Sequence, residues 1–175
     1  MRPIENPKAR QITFGRANEL LDYNSAAGLF KWRINRSPRI RAGDPAGCVN
    51  WVTGYVQLRI DYVTHLAHRI AWLLCYGNLP SDQIDHIDTD RTNNRIDNLR
   101  EASQSQNQAN AVGRPKKYGA GLRGAFWDKS NQSWRAAVVK DGKQIHIGSF
   151  SSELDAHLAY CAVAKALHGE FARSL

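Results

Sequence analysis

Four residues between Ile84 and Asn110 have the types and spacing to do chemistry. Asp85 and His86 are adjacent, Asn98 follows twelve residues after the histidine, and Asn107 nine after that, in the stretch IDHIDTDRTNNRIDNLREASQSQNQAN. An imidazole titrates near neutral pH, so His86 can accept a proton from water. A carboxylate and an amide oxygen are hard donors suited to Mg²⁺-like ions, which singles out Asp85 and Asn107. The same density of Asp and Asn also reads as a solvated loop built on Asx-turns. A calcium loop is a third reading of DHIDTDRTNN, but it lacks the glycine at the sixth position and the glutamate at the twelfth that an EF-hand loop needs.

The elements that must position these residues are legible from pattern. Ile84 to Ile87 is predicted as a short strand, followed by a polar, turn-rich loop. Leu99 to Ala102 is predicted to pair back as a second strand, and Ser103 to cap a short helix over QSQNQANA. Asp85 and His86 are neighbours on a strand, where successive side chains point to opposite faces. They can serve one site only if the strand twists or ends there. Upstream, NELLDYNSAAGLFKW predicts a helix ending near Tyr23, a turn at Ala27-Gly28 and a strand carrying Phe30 and Trp32. GYVQLRI alternates, with Val56, Leu58 and Ile60 on one face of a strand. The chain then turns at Asp61-Tyr62, pairs back, and forms an apolar helix from about His68 that Gly77 ends. His65 and His68 have the spacing of a metal pair, but no third ligand is near, and packing is the favoured reading.

Downstream, AVGRPKKYGAG has linker composition. LRGAFWD, SWRAAVVK and QIHIGSF predict three strands, the second pair joined by Asp-Gly, a strong hairpin signal. SSELDAHLAYCAVAKALHG predicts a helix capped by Ser151 or Ser152, with Leu154, Leu158, Cys161 and Ala162 as its apolar face. Trp134, Ala136 and Val138 share one strand face, predicted to be core.

Composition narrows the partners. The 175-residue chain carries a formal charge of +8 and a pI near 9.7, which favours a polyanion, nucleic acid first and an anionic membrane second. Arg114 to Ile147 holds eight basic and two acidic residues, whereas Gly148 onward holds two and three. The basic surface is thus predicted on the linker and sheet. KWRINRSPRIR adds five more basic residues without an acid, an exposed ribbon that suits either DNA or solvent. No apolar run approaches the roughly 20 residues of a membrane span, and the N-terminus lacks the apolar core of a signal peptide. Three widely spaced cysteines fit reduced thiols and a cytoplasmic location.

The stretch IDHIDTDRTNNRIDNLREASQSQN, with HRIAWLLCYGNLP before it, resembles the HNH endonucleases, specifically the homing-type subgroup of phages and mobile elements whose last His is replaced by Asn. The resemblance implies a ββα-metal module that gathers Asp85, His86 and Asn107. It implies hydrolysis of phosphodiester bonds in double-stranded DNA inside a bacterial host cell. His86 would be the catalytic base, Asp85 and Asn107 the ligands of one divalent metal, with Mg²⁺ favoured, and Asn98 a structural brace of the histidine-bearing strand. One such site cuts one strand at a time, so the protein would act as a monomer that nicks or as a homodimer.

The tail, through G-L-R-G, the Trp134-centred strand, H-I-G-S-F and D-A-H-L-A-Y-C-A-V-A-K, resembles the AP2/ERF DNA-binding domain. The resemblance implies a three-stranded antiparallel sheet in the major groove with one helix behind it. Arg123 and Gln144 would reach DNA from the first and third strands, and Ser149 and Tyr160 fall where the plant domains contact phosphate. His146 stands where those domains have Trp, and Ala137 and Val139 replace a Glu and an Arg that contact DNA there. Trp127, Lys129, Arg135 and Lys143 join the DNA-binding set on their chemistry, being basic or amphipathic and on the sheet or its turns.

The expectation is therefore an α+β protein, with a nuclease domain over 1–112, a linker over 113–119 and an AP2-like domain over 120–175. Its predicted function is targeted DNA cleavage. A non-catalytic, sequence-specific DNA-binding regulator retaining the HNH fold is the alternative. An RNA-binding role is disfavoured because the sheet lacks closely spaced exposed aromatics.

Overall fold

A computed structural model describes residues 11–110 and 121–172. The predicted linker lies outside them. The chain divides into two compact units, Met1–Glu101 and Ala102–Leu175. The division falls before the short helix that carries Asn107, within the predicted 1–112 domain.

In the first unit, α1 (Phe14–Leu20) begins at Thr13, whose Oγ1 accepts from the Arg16 amide. It ends three residues before the predicted Tyr23, because Leu21–Asn24 forms β1 against β2 (Leu29–Trp32), with Leu21 opposite Trp32. Leu20 and Leu21 are both buried. Consecutive buried residues suit a helix that passes directly into a strand, and the ladder to β2 takes up the backbone that a further helical turn would have used.

A second, three-stranded sheet has the order β3 (Cys48–Val49), β4 (Val56–Ile60), β5 (Val63–Leu66). Leu58 and Ile60 are buried and Val56 half-buried, the face predicted from alternation. Asp61 and Tyr62 both take positive φ, 48° and 67°, the geometry of a two-residue hairpin turn. Helix α2 (Ala67–Tyr76) follows and stops at Gly77, whose φ of 80° lets its N–H close on the Leu73 carbonyl. One core joins Leu20, Phe30, Leu58, Ile70, Ile84 and Leu99. It supports β6 (Gln83–His86), which pairs with β7 (Leu99–Ala102).

The second unit starts with α3 (Gln104–Asn110). Ser103 Oγ accepts from the Gln106 amide, and Gln106 Oε1 accepts from the Ser103 amide, a reciprocal cap at the predicted start. The three predicted strands are β8 (Ala125–Asp128), β9 (Ser133–Lys140) and β10 (Lys143–Phe150), antiparallel with β9 central. Helix α4 (Glu153–His168) is capped by Ser152.

The buried face of α4 differs from the predicted one. Ala156, His157, Tyr160, Ala164 and His168 are buried, whereas Leu154 and Leu158 are each 56% exposed. Small residues set this interface. Ala156 and Ala164 join Ala125 and Ala136 in the core, and a Cβ at Gly124 would lie 2.0 Å from the Tyr160 ring. Close approach selects small side chains, and an apolar count weights large ones.

Candidate active site

Strand β6 ends at His86, where Thr89 N–H closes a turn onto the His86 carbonyl. Ile84, Asp85 and His86 are all buried, so alternation along the strand takes neither Asp85 nor His86 to solvent. Each then has a different wall. Asp85 is 4% exposed, and its Oδ2 accepts from Arg100 Nε at 3.0 Å and lies 2.9 Å from Nη2. This pair ties β6 to β7.

His86 is walled by aromatic rings. Its centroid is 5.1 Å from that of His68, at 86°, and 5.9 Å from that of Tyr55. His68 and Tyr55 are themselves 5.2 Å apart. Burial pushes the His86 pKa below the ordinary histidine value, although Asn94 and the carboxylates of Asp88, Asp85 and Asp90 pull the other way. The ring is therefore neutral at pH 7, the state in which an imidazole can take a proton.

His68 is pushed further, to about 3, by burial first and then by His86 and Arg69. Its Nδ1 has no hydrogen-bond partner among the described residues. A histidine held neutral in the fold protonates more readily once unfolded, so it lowers stability as pH falls from its unfolded value towards its folded one. His68 should therefore cost roughly 1.4 kcal/mol per pH unit as pH drops below about 6.5. Urea unfolding at about pH 7.5 and about pH 5.5 checks this, because His68→Asn should remove about 1.4 kcal/mol of the loss, that of the one unit below about 6.5.

The loop between β6 and β7 is organised by its own side chains. Asn98 Oδ1 accepts from the Asp88 amide at 3.0 Å, and Asn98 Nδ2 donates to Asp88 Oδ1 and to the Asn93 carbonyl, both at 2.9 Å. The Asn98 carbonyl accepts from Ile87 N–H at 2.9 Å. Burial works to raise the Asp88 pKa, but donors from Asn93, Asn98 and the Asp90 amide outweigh it and leave the carboxyl below its usual range. Asp90 accepts from both the amide and the hydroxyl of Thr92. Much of the Asp and Asn content of the stretch thus serves Asx-turns.

The β1–β2 hairpin holds this loop from outside. Tyr23 donates its hydroxyl to the Asn94 carbonyl at 2.6 Å, and Ile96 N–H donates to the Ser25 carbonyl. A Cβ at Gly28, where φ is +71°, would sit 2.5 Å from the Arg95 nitrogen. Gly28→Ala should therefore destabilise the protein by about 1–3 kcal/mol and displace the loop. Denaturant unfolding, together with the rate of DNA cleavage, tests the coupling of hairpin to site.

The structure brings Asp85, His86 and Asn98 into one unit. Asn107 lies half-buried on α3 in the other. Among the described residues no group of three or more His, Cys, Asp or Glu gathers as a metal cage. The donors at hand, a buried carboxylate and amide oxygens, are of the kind that hold Mg²⁺-like ions, which keep several waters and take few protein ligands. The residues fit such an ion better than a zinc centre. Tyr55, Asn94 and the Arg100–Asp85 pair carry no motif signal in the sequence; their roles come from contacts across the fold. Sequence separation by itself does not select Asp85 as the partner of Arg100; tertiary contact does.

In the second unit, β9 faces its neighbours so that Arg135 lies opposite Phe126 and Ser149, Ala137 opposite His146, and Val139 opposite Gln144. Directly opposed residues share a face. Arg135, Gln144, His146 and Ser149 therefore share the face turned away from the Ala136 and Val138 core, with a bulge between His146 and Gly148. Gln144, His146 and Ser149 are exposed, and Arg135 is half-buried against Asp128 at 3.2 Å. Lys129 is exposed in the β8–β9 turn and Lys143 at the start of β10. Trp127 is 47% exposed and meets Trp134 edge-on at 5.5 Å. Tyr160 is buried in the α4 interface. Arg123 donates from Nη2 to the Ala109 carbonyl at 2.6 Å, at the end of α3. In the basic ribbon, Arg36 stacks 4.6 Å over Trp32.

A family model described as HNH endonuclease matches residues 65–109, which span β5 to α3. The chain is 36% identical over 107 residues to Protein 3.8 of Escherichia phage T7, covering 61% of this chain and 87% of that one. It is 33% identical over 146 residues to the uncharacterized HNH endonuclease L560 of Acanthamoeba polyphaga mimivirus, covering 82% and 70%. No solved structure matches significantly. The chain belongs to the HNH endonuclease family and is a nuclease. Enzymes of this family act on DNA and generally use a divalent metal ion. No helix among the described residues is long and apolar enough to cross a membrane.

Proposed function

We propose that this chain hydrolyses phosphodiester bonds in double-stranded DNA at a site built on Asp85, His86 and Asn107, with Mg²⁺ as the working ion. The observation that carries the reading is the pairing at the end of β6. A buried carboxylate and a buried neutral imidazole are adjacent there, one held by Arg100 and the other by aromatic rings. In this reading His86 takes a proton from the attacking water as its oxygen bonds to phosphorus, and the bond from phosphorus to the sugar oxygen breaks. Asp85 and Asn107 would hold the divalent ion, which would supply charge neutralisation at the phosphate and the departing oxygen. Asn98 holds the Asp88–Asn93 loop so that His86 stays at the strand end.

The exposed face carrying Gln144, His146 and Ser149 would bind DNA in the manner of an AP2-like module and choose the site, with Arg123, Lys129, Arg135 and Lys143 contributing charge. Gln144→Glu with His146→Glu should weaken duplex binding by about tenfold, since each change puts a negative charge on a surface that would meet phosphate. A gel-shift titration at fixed salt measures it.

Supercoiled plasmid incubated with and without Mg²⁺ tests the whole. Nicked product points to a single-strand cutter acting as a monomer, and linear product to a homodimer or paired events. Bound but uncut plasmid would favour the regulator that retains the fold without the activity.

A further inference from the structure

The loop between β3 and β4 carries the most exposed large apolar side chain of the described residues. Trp51 is 91% exposed and Val52 73%, and Val49, the last residue of β3 beside them, is 52% exposed. A single exposed apolar residue is ordinary, but a contiguous group on an ordered loop marks a contact surface. This loop is closed by its own hydrogen bonds. Asn50 Oδ1 accepts from the amides of Val52 at 3.0 Å and Thr53 at 3.1 Å. The Asn50 carbonyl accepts from Gly54 at 2.7 Å, and the Asn50 amide donates to the Tyr55 carbonyl at 2.8 Å. The indole is thus presented on a fixed scaffold that turns it away from the core.

The base of the same loop belongs to the candidate active site. Tyr55, one residue past Gly54, packs its ring against both His86 and His68. Arg91, from the loop that follows His86, lies 4.7 Å over the Tyr55 ring and donates from Nη1 to the Thr53 carbonyl at 2.7 Å. An apolar tip, a cation and a catalytic-site ring are therefore fixed to one another through three successive residues, Thr53, Gly54 and Tyr55.

We propose that Trp51 and Val52 form an apolar wedge that enters the base stack of duplex DNA beside the scissile phosphate, with Arg91 contacting the backbone there. The occupant is DNA rather than protein because the wedge is continuous with the site that would cut it and has a guanidinium at its base. Indole stacks on bases of any sequence, and apolar side chains inserted at a base step kink the duplex and open it towards the protein. The wedge would position the cleaved bond against His86, and it rests on the reading of that site as one that acts on duplex DNA.

The test uses the full chain and a short mixed-sequence DNA duplex. Adding duplex should quench part of the tryptophan emission of the wild-type protein, and Trp51→Phe should lose that part. Trp51→Ala should weaken duplex binding about tenfold and slow Mg²⁺-dependent plasmid nicking at least as much, with Trp51→Phe recovering most of both. Unfolding by urea should be unchanged in either variant, since the side chain touches solvent. Unaltered quenching in Trp51→Phe, or wild-type affinity in Trp51→Ala, overturns the wedge. Trp51-dependent quenching by a wild-type protein that fails to nick plasmid would uphold the wedge and sink the nuclease assignment of Asp85 and His86 instead.

Discussion

His86→Ala is expected to lower Mg²⁺-dependent plasmid cleavage by a factor on the order of 10²–10⁴ while leaving DNA affinity within about twofold of wild type. The magnitude is that of removing a positioned general base. The separation of the two effects follows from location. The His86 ring is buried against His68 and Tyr55 and offers little surface to the DNA backbone, so binding energy comes from elsewhere. Cleavage rate and gel-shift affinity measured on the same preparation decide it. A variant that cleaves at the wild-type rate would remove His86 from the reaction. A variant that neither folds nor binds would instead make the ring a structural member of its cluster, and His86→Gln, which keeps much of the volume, separates that case.

Arg100→Met is expected to destabilise the first unit by about 3–5 kcal/mol, because it strips the counter-charge from a buried carboxylate. Side-chain exposure is 14% for Arg100 and 5% for Asp85, so solvent screens this pair little, in contrast to the exposed Arg95–Asp97 pair. Cleavage should fall with stability, since Asp85 would relax towards water. The double variant Asp85→Asn, Arg100→Met should recover part of the stability and none of the cleavage. Urea unfolding of the two single variants and the double gives the coupling energy, and plasmid nicking shows whether stability and activity separate. Full activity in Asp85→Asn would exclude the carboxylate as a metal ligand.

These two expectations turn on the adjacent side chains of Asp85 and His86, which have different partners, and that contrast marks how far the sequence could be read. The strand pair, the polar loop and the Ser103 cap were legible because each depends on local pattern. A capping serine with glutamine three residues on, a Gly in the αL position after α2, and Asp-Gly between β9 and β10 carry their geometry in two to four residues. The end of α1 was not legible. Leu20 and Leu21 suit a helix as well as a strand, and the ladder to Trp32 decides between them. The buried face of α4 was not legible either, because its packing distance is set by Ala136 and Gly124 across the interface.

At the site, residue types and offsets are enough to say which groups have the chemistry: an imidazole, a carboxylate beside it, and amides at fixed offsets. They also determine the loop that carries these groups, since Asx-turns are short-range. Only the tertiary contacts make Asp85 meet Arg100, pack His86 against both His68 and Tyr55, and let Gly28 and Tyr23 clamp the loop from a hairpin some seventy residues away in the chain. The reason is range. Hydrogen bonds within a turn are encoded by neighbours, whereas burial, which moves a histidine's proton affinity, is a property of everything that packs around it.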